Sequence, residues 1–169
     1  LAQTETNIKI NYTIPGKQPY KNKYIINGGV TRIDQSTGKS AGIMLSAGYQ
    51  NYEHHWTETY KLNLLNERYD LTTLAVKTNA NLIYPSANWQ YLNSDNKLNP
   101  SRGISARITL SGTPDFLSSK ASFFQARFYS RWLATLHYSH TRFIMTNLLA
   151  YTDINSITNL PLSLQLFLG

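Results

Sequence analysis

From about Asn7 to Tyr151, apolar and polar residues alternate in long segments separated by turn-rich breaks. Between Lys39 and Gln50 one phase reads Ala41, Ile43, Leu45, Ala47 and Tyr49, and the other Gly42, Met44, Ser46, Gly48 and Gln50. Side chains on a strand point to alternate faces, so this segment is a strand with one apolar face and one small, more polar face. Alternation sustained over about ten residues is the pattern of a membrane β-barrel, apolar toward lipid and polar toward a lumen. Sandwich strands alternate too, but they run nearer five or six residues.

The pattern predicts eight strands. Asn7–Ile14 puts Ile8, Ile10, Tyr12 and Ile14 on one phase and stops at Pro15-Gly16, a turn signal. Tyr20–Ile33 follows, with Gly28-Gly29 marking a bulge or close packing. The polar loop Asp34–Lys39 leads into Ser40–Gln50, and Asn51–His55 connects to Trp56–Tyr69. Leu74–Tyr91 contains Pro85, which predicts a kink or bulge because proline cannot donate to a ladder. After the long turn Asn93–Arg102 come Gly103–Ser111, Ser122–Leu133 and His140–Thr152. In the last of these Phe143, Met145, Asn147, Leu149 and Tyr151 share a phase, but Ile144 and Leu148 lie on the other, so alternation alone does not assign its apolar face. Asp153–Gly169 has no clean alternation. Consecutive strands with hairpin-length connections make an all-β antiparallel meander in one domain, 1–169.

Composition sharpens this reading. Only 15% of residues are charged, tyrosine occurs 12 times, and Asn, Ser and Thr are abundant. Soluble domains average roughly 25% charged residues, and aromatic girdles mark both interfaces of outer-membrane barrels. With no cysteine, a disulfide framework and a thiolate metal site are both excluded. The net charge of +7 is spread over single residues such as Lys61, Lys77, Arg107 and Arg127, often on the polar phase. That spacing argues against a nucleic-acid groove and fits a lumen lining or contact with lipid headgroups. No apolar run of about 18 residues exists to make a transmembrane helix. The N-terminus has no signal-peptide pattern, and Leu1 stands where an initiator Met would be, so the chain reads as processed, trimmed or part of a longer protein.

Little in the sequence points to catalysis. His54-His55 and His137/His140 invite a metal, but no Asp/Glu cluster accompanies them, and interfacial or loop histidines are the simpler reading. Glu53, Glu58 and Glu67 are not set as an acid pair, no G-x-S-x-G elbow is present, and Gly28-Gly29 lacks the dinucleotide pattern. No catalytic, cofactor or metal site is expected. Trp56, Trp89 and Trp132 each fall near a predicted strand end, as interface anchors do.

Residues 99–169 carry a more specific signal. Asn99-Pro-Ser-Arg-Gly103 opens a strand, and a loop ends Leu117-Ser-Ser-Lys-Ala-Ser-Phe123. An aromatic strand then runs to Trp132-Leu-Ala-Thr-Leu136, Arg142-Phe-Ile-Met145 opens the next, and the chain closes on Leu160-Pro-Leu-Ser-Leu-Gln-Leu-Phe-Leu-Gly169. This succession resembles the bacterial surface antigen superfamily of outer-membrane assembly barrels, which includes BamA and TamA. The motif positions are Pro100, Arg102, Gly103, Phe123, Trp132, Leu160, Pro161, Phe167 and Gly169. Ile10-Asn-Tyr-Thr-Ile-Pro15, Asn27-Gly-Gly29 and Leu82-Ile-Tyr-Pro85 look closer to TamA than to BamA. The chain departs from the family at Gln165, where Arg is usual, and at Leu166-Phe167-Leu168, in place of Phe-Phe-Ala.

The resemblance implies the middle of a 16-stranded transmembrane barrel, roughly its fourth to eleventh strands, leading into the sixth extracellular loop. It implies a non-enzymatic protein of the bacterial outer membrane that helps insert or export outer-membrane proteins or autotransporters. Its partners would be outer-membrane lipid, client outer-membrane proteins and a periplasm-spanning partner, with no nucleic acid. Two other readings of the alternation stay open: a small eight-stranded structural or pore barrel, and a soluble lipocalin-like barrel with its apolar phase inward.

Overall fold

A computed structural model describes residues 4–35, 38–71, 76–96, 98–113, 122–136, 141–154 and 161–164. It contains β1 (Thr4–Pro15), β2 (Asn22–Gln35), β3 (Gly38–Glu53), β4 (Trp56–Leu71), β5 (Val76–Ser94), β6 (Arg102–Thr113), β7 (Phe123–Leu136) and β8 (Thr141–Ile154). A single 3-10 turn follows at Leu162–Leu164. Each strand pairs antiparallel with the next, in one sheet ordered β1 to β8. Among the described residues β1 and β8 do not pair, so the sheet is open rather than an eight-stranded closed barrel.

All eight predicted strands are present, and most run beyond their predicted ends. Asn51, Tyr52 and Glu53 belong to β3, so the connection to β4 shrinks to His54-His55, with His54 in the left-handed region at φ 54°. Alternation fades in these end residues because both faces become polar there, whereas the backbone ladder is indifferent to the side chains. Pro85 makes neither a bulge nor a break in register: it sits opposite Leu62 in an unbroken β4–β5 ladder. The β5–β6 ladder runs only over Ser86–Ser94, so the missing proline N–H falls where β5 parts from β6. Register is likewise unbroken through Gly28 and Gly29, where the sheet is closely packed: a Cβ on Gly29 would come within 3.3 Å of the Ile8 carbonyl.

Register carries each face across the whole sheet. Ile14, Tyr24, Tyr49, Tyr60, Ala87, Leu110, Ala126 and Tyr151 form one continuous row of partners. Ile10, Gly28, Leu45, Leu64 and Ile83 form another on the same, outer face. Trp132 lies opposite Met145 and Phe128 opposite Leu149, which places Phe143, Met145, Leu149 and Tyr151 on the outer face and settles the phase of β8.

Burial is inverted relative to a water-soluble protein. Ser40, Ser46, Thr59, Asn63, Glu67, Ser111, Thr113 and Gln125 are buried, all on the inner face. Ile10, Ile43, Leu45, Leu62 and Leu149 are exposed on the outer face. A contiguous exposed apolar surface of this extent needs a covering, and exposed leucines scattered singly would not. The outward direction is opposite to that of a lipocalin. Along β3 the apolar phase from Ala41 to Tyr49 has the ~9–11-residue length of a tilted membrane-spanning strand. Polar groups within the outer face pair with one another: Asn147 Nδ2 donates to Ser130 Oγ at 3.1 Å, and Asn66 donates to Asn81. Such pairing is what a medium without water demands.

Candidate functional site

The inner face gathers the groups that can act. Its phase brings Lys9, Lys23, Lys61, Arg107, Arg127, Arg131 and Arg142 to one side of the sheet by register. Arg107 Nη2 donates to Gln90 Oε1 at 3.1 Å, and the Lys23 ammonium sits 5.1 Å from the centre of the Tyr52 ring. These seven cations, scattered in sequence, thus line one surface, interleaved with hydroxyl and amide side chains, whereas Arg32, Lys39, Arg68 and Lys77 take the outer phase.

At one end of this face the chain turns back onto itself. Pro161 and Leu164 are buried against the inner face, where Leu164 packs with Ile33, Leu65, Tyr69, Ala80, Leu82, Tyr84 and Phe123. Two polar side chains fix the turn. Glu67 of β4 accepts the Ser163 N–H through Oε1 at 3.2 Å and the Ser163 hydroxyl through Oε2. Gln125 of β7 donates from Nε2 to the Leu164 carbonyl at 2.6 Å. Glu67 is 1% exposed and Gln125 0%, so both depend on these partners in a nearly dry setting.

Local sequence makes room for this clamp. Gly42 lies opposite Glu67, and a Cβ there would meet Glu67 Cβ and Cγ at 3.2 Å and the Asn66 carbonyl at 3.2 Å. Phe123 stands edge-on to Tyr84 at 5.6 Å and closes the floor beneath Leu164. Nothing in the alternation of β4 singles out Glu67, since its partner lies 96 residues away. The only hint available was a carboxylate on an inward phase otherwise occupied by Thr57, Thr59, Lys61, Asn63, Leu65 and Tyr69.

The motif residues fall in three places. Phe123 and Pro161 belong to the clamp region. Pro100 lies in the β5–β6 connection and Arg102 and Gly103 open β6, far from it in register. There Asp95 organises the turn: it accepts from the Ser101 hydroxyl and from the Ser101, Arg102 and Asn96 N–H groups at 3.0, 3.1 and 2.9 Å. The Ser101 hydroxyl first, then these backbone donors, hold the Asp95 carboxyl at about 2, below its usual range. Gly103 is required by space, because a Cβ would lie 3.0 Å from the Asn93 carbonyl. Trp132 is half exposed on the outer face beside Met145. Leu160, Phe167, Gly169, His137 and His140 lie outside the described residues.

The remaining tryptophans cluster with tyrosines at the end of the sheet that carries the His54-His55 turn. Trp56 packs on Tyr91 at 5.1 Å, Tyr24 on Tyr49 at 5.6 Å, and Trp89 donates from Nε1 to the Tyr60 hydroxyl at 3.2 Å. Among the described residues, no group of three His, Cys, Asp or Glu side chains converges to hold a metal ion.

An antiparallel meander with an apolar exposed face, a polar buried face and a chain segment folded against the latter defines the wall of an outer-membrane-type β-barrel. The Omp85 superfamily domain matches residues 1–169. The chain belongs to the Omp85 superfamily, outer-membrane barrel proteins of assembly and translocation rather than enzymes.

Proposed function

We propose that this sheet is one arc of a larger, TamA-like barrel in the bacterial outer membrane, where it serves the insertion or export of client outer-membrane proteins or autotransporters. The observation that carries the reading is the clamp. The 161–164 turn lies against the inner face and is held to both β4 and β7, while among the described residues both edges of the sheet stay open for further strands. The wall of eight strands would supply a stable frame opposite the seam at which a client strand pairs. Pairing of that kind lowers the cost of an unpaired strand in lipid. Outer-membrane lipid covers the apolar face, with the Trp56, Trp89 and Trp132 side chains as interface anchors. A periplasm-spanning partner would act on parts of the protein beyond this sheet.

Depletion of the full-length protein in its host, followed by quantitative outer-membrane proteomics, tests the proposal. Loss of a subset of barrel proteins or autotransporters, restored by the intact gene, is the expected result. An unchanged outer-membrane proteome would reject an assembly role. The clamp itself is tested by Glu67→Cys with Ser163→Cys in the full-length chain. This region has no native cysteine, so the pair should oxidise to a disulfide within it.

A further inference from the structure

Most of the outer face is apolar, but at the end where β8 leads into the inward segment it changes in three steps. The row Ile8–Val30–Ile43 is apolar and continues into the paired Asn66 and Asn81. Two residues further along the strands, by ~7 Å, the row reads Thr6, Arg32, Ala41, Arg68 and Asn79. Beyond it Asp34 and Lys39 form an ion pair at 3.0 Å, in register with Asp70 and Lys77. The outermost charges therefore balance one another, whereas the arginine row carries two cations. Arg32 and Arg68 are exposed, and neither has a hydrogen-bond or ion-pair partner among the described residues. They flank a single small residue, Ala41, across two strand spacings of ~4.8 Å each, and the exposed Ala41 leaves the surface between them open. Arg32, Ala41, Arg68 and Asn79 line one cleft there, together with the Asp34–Lys39 pair and Asp70.

We propose that Arg32 and Arg68 bind the phosphate of an anionic lipid headgroup, with the Asn79 amide beside them. Depth and charge select this occupant. The pair sits one row outside the apolar band, at the level where acyl chains give way to headgroups. Two guanidinium forks with no carboxylate on them are suited to bidentate recognition of phosphate oxygens. A neutral headgroup leaves both cations uncompensated, and a free anion gains nothing from the neighbouring apolar rows. The proposal rests on the outer face being lipid-covered, as read above.

The test uses the full-length protein in vesicles of phosphatidylcholine containing a minor fraction of spin-labelled lipid. The fraction of label immobilised by the protein is compared for phosphatidylglycerol and phosphatidylcholine. A basic residue near an anionic surface contributes about fivefold in affinity, so a preference of at least about fivefold for phosphatidylglycerol is expected. Arg32→Gln with Arg68→Gln should bring the preference to near unity, while Arg107→Gln with Arg127→Gln on the inner face should leave it intact. Gel mobility with and without heating confirms that each variant is folded. An unchanged preference in the Arg32/Arg68 double variant overturns the proposal, as does its abolition by millimolar inorganic phosphate, which would mark a free-anion site. Failure of the unmodified protein to enter vesicles would remove the membrane reading and this inference with it. Insertion without lipid preference removes this inference alone.

Discussion

Asp95 is the acceptor around which the β5–β6 connection closes, and its titration has a defined sign. Its carboxyl is held at about 2 in the folded turn, below the ordinary value of 3.8. The contribution it makes to turn order is therefore complete above about pH 4 and lost as pH falls toward 2. Hydrogen exchange of the 95–102 peptide should show protection that is flat above pH 4 and absent in Asp95→Ala at every pH. At the clamp, Glu67→Ala removes the acceptor of both Ser163 donors, and because Ser163 itself is exposed to water each lost hydrogen bond costs about 0.5–1.5 kcal/mol. Gly42→Val reaches the same end by crowding the Glu67 side chain and the Asn66 carbonyl. Both substitutions should raise the labelling of Leu164→Cys by a water-soluble maleimide in the full-length protein. Unaltered labelling in both would mean that the turn is held by packing alone. Of these residues, Ser101, Arg102, Ser163 and Leu164 fall in motifs visible in the sequence. Glu67 and Gln125 gain their meaning from contacts 96 and 39 residues away, which no local pattern encodes.

At the level of the strand, alternation was an effective guide because one physical rule governs the whole sheet: side chains of one parity meet one medium. The rule predicted β3 and β6 well, where Ile43 and Ile108 are outward and Ser46 and Ser111 inward. It left β8 undecided, since Ile144 and Leu148 make its inner phase apolar as well. Only the register to Trp132 and Phe128 resolves it. It also misread Pro85, because a ladder ending beside a strand has no signature in that strand's own residues. The medium on the outer face has a measurable consequence. Leu45→Arg, in the middle of the apolar band, should destabilise the folded barrel by about 2–4 kcal/mol, read as a lower denaturant midpoint in lipid vesicles. Gly48→Val should do more, since a Cβ there would lie 2.3 Å from the Tyr60 carbonyl and the β3–β4 ladder cannot yield without losing register. Loss of the heat-dependent gel shift is the expected readout.

Across the molecule, the sheet leaves the edges of β1 and β8 unpaired among the described residues, each a row of backbone donors and acceptors. Residues 1–169 refolded alone into detergent micelles should therefore associate or remain unfolded, while the full-length chain yields a discrete species by size-exclusion chromatography. A discrete, heat-shiftable monomer of the segment would contradict the larger-barrel reading. The fold class was legible at this scale because neighbour-to-neighbour pairing follows from strand order alone. The return of the chain across the inner face was not, because 153–169 has no periodicity to report it. That return makes the 161–164 turn a cross-brace. It ties β4 to β7 over the two strands between them, so the wall cannot flatten or bend further without stretching the Glu67 or Gln125 contact. A force applied at either edge is thereby resisted at a point far from it, and the Glu67 and Gln125 contacts add a brace across the arc to the stiffness of its ladders.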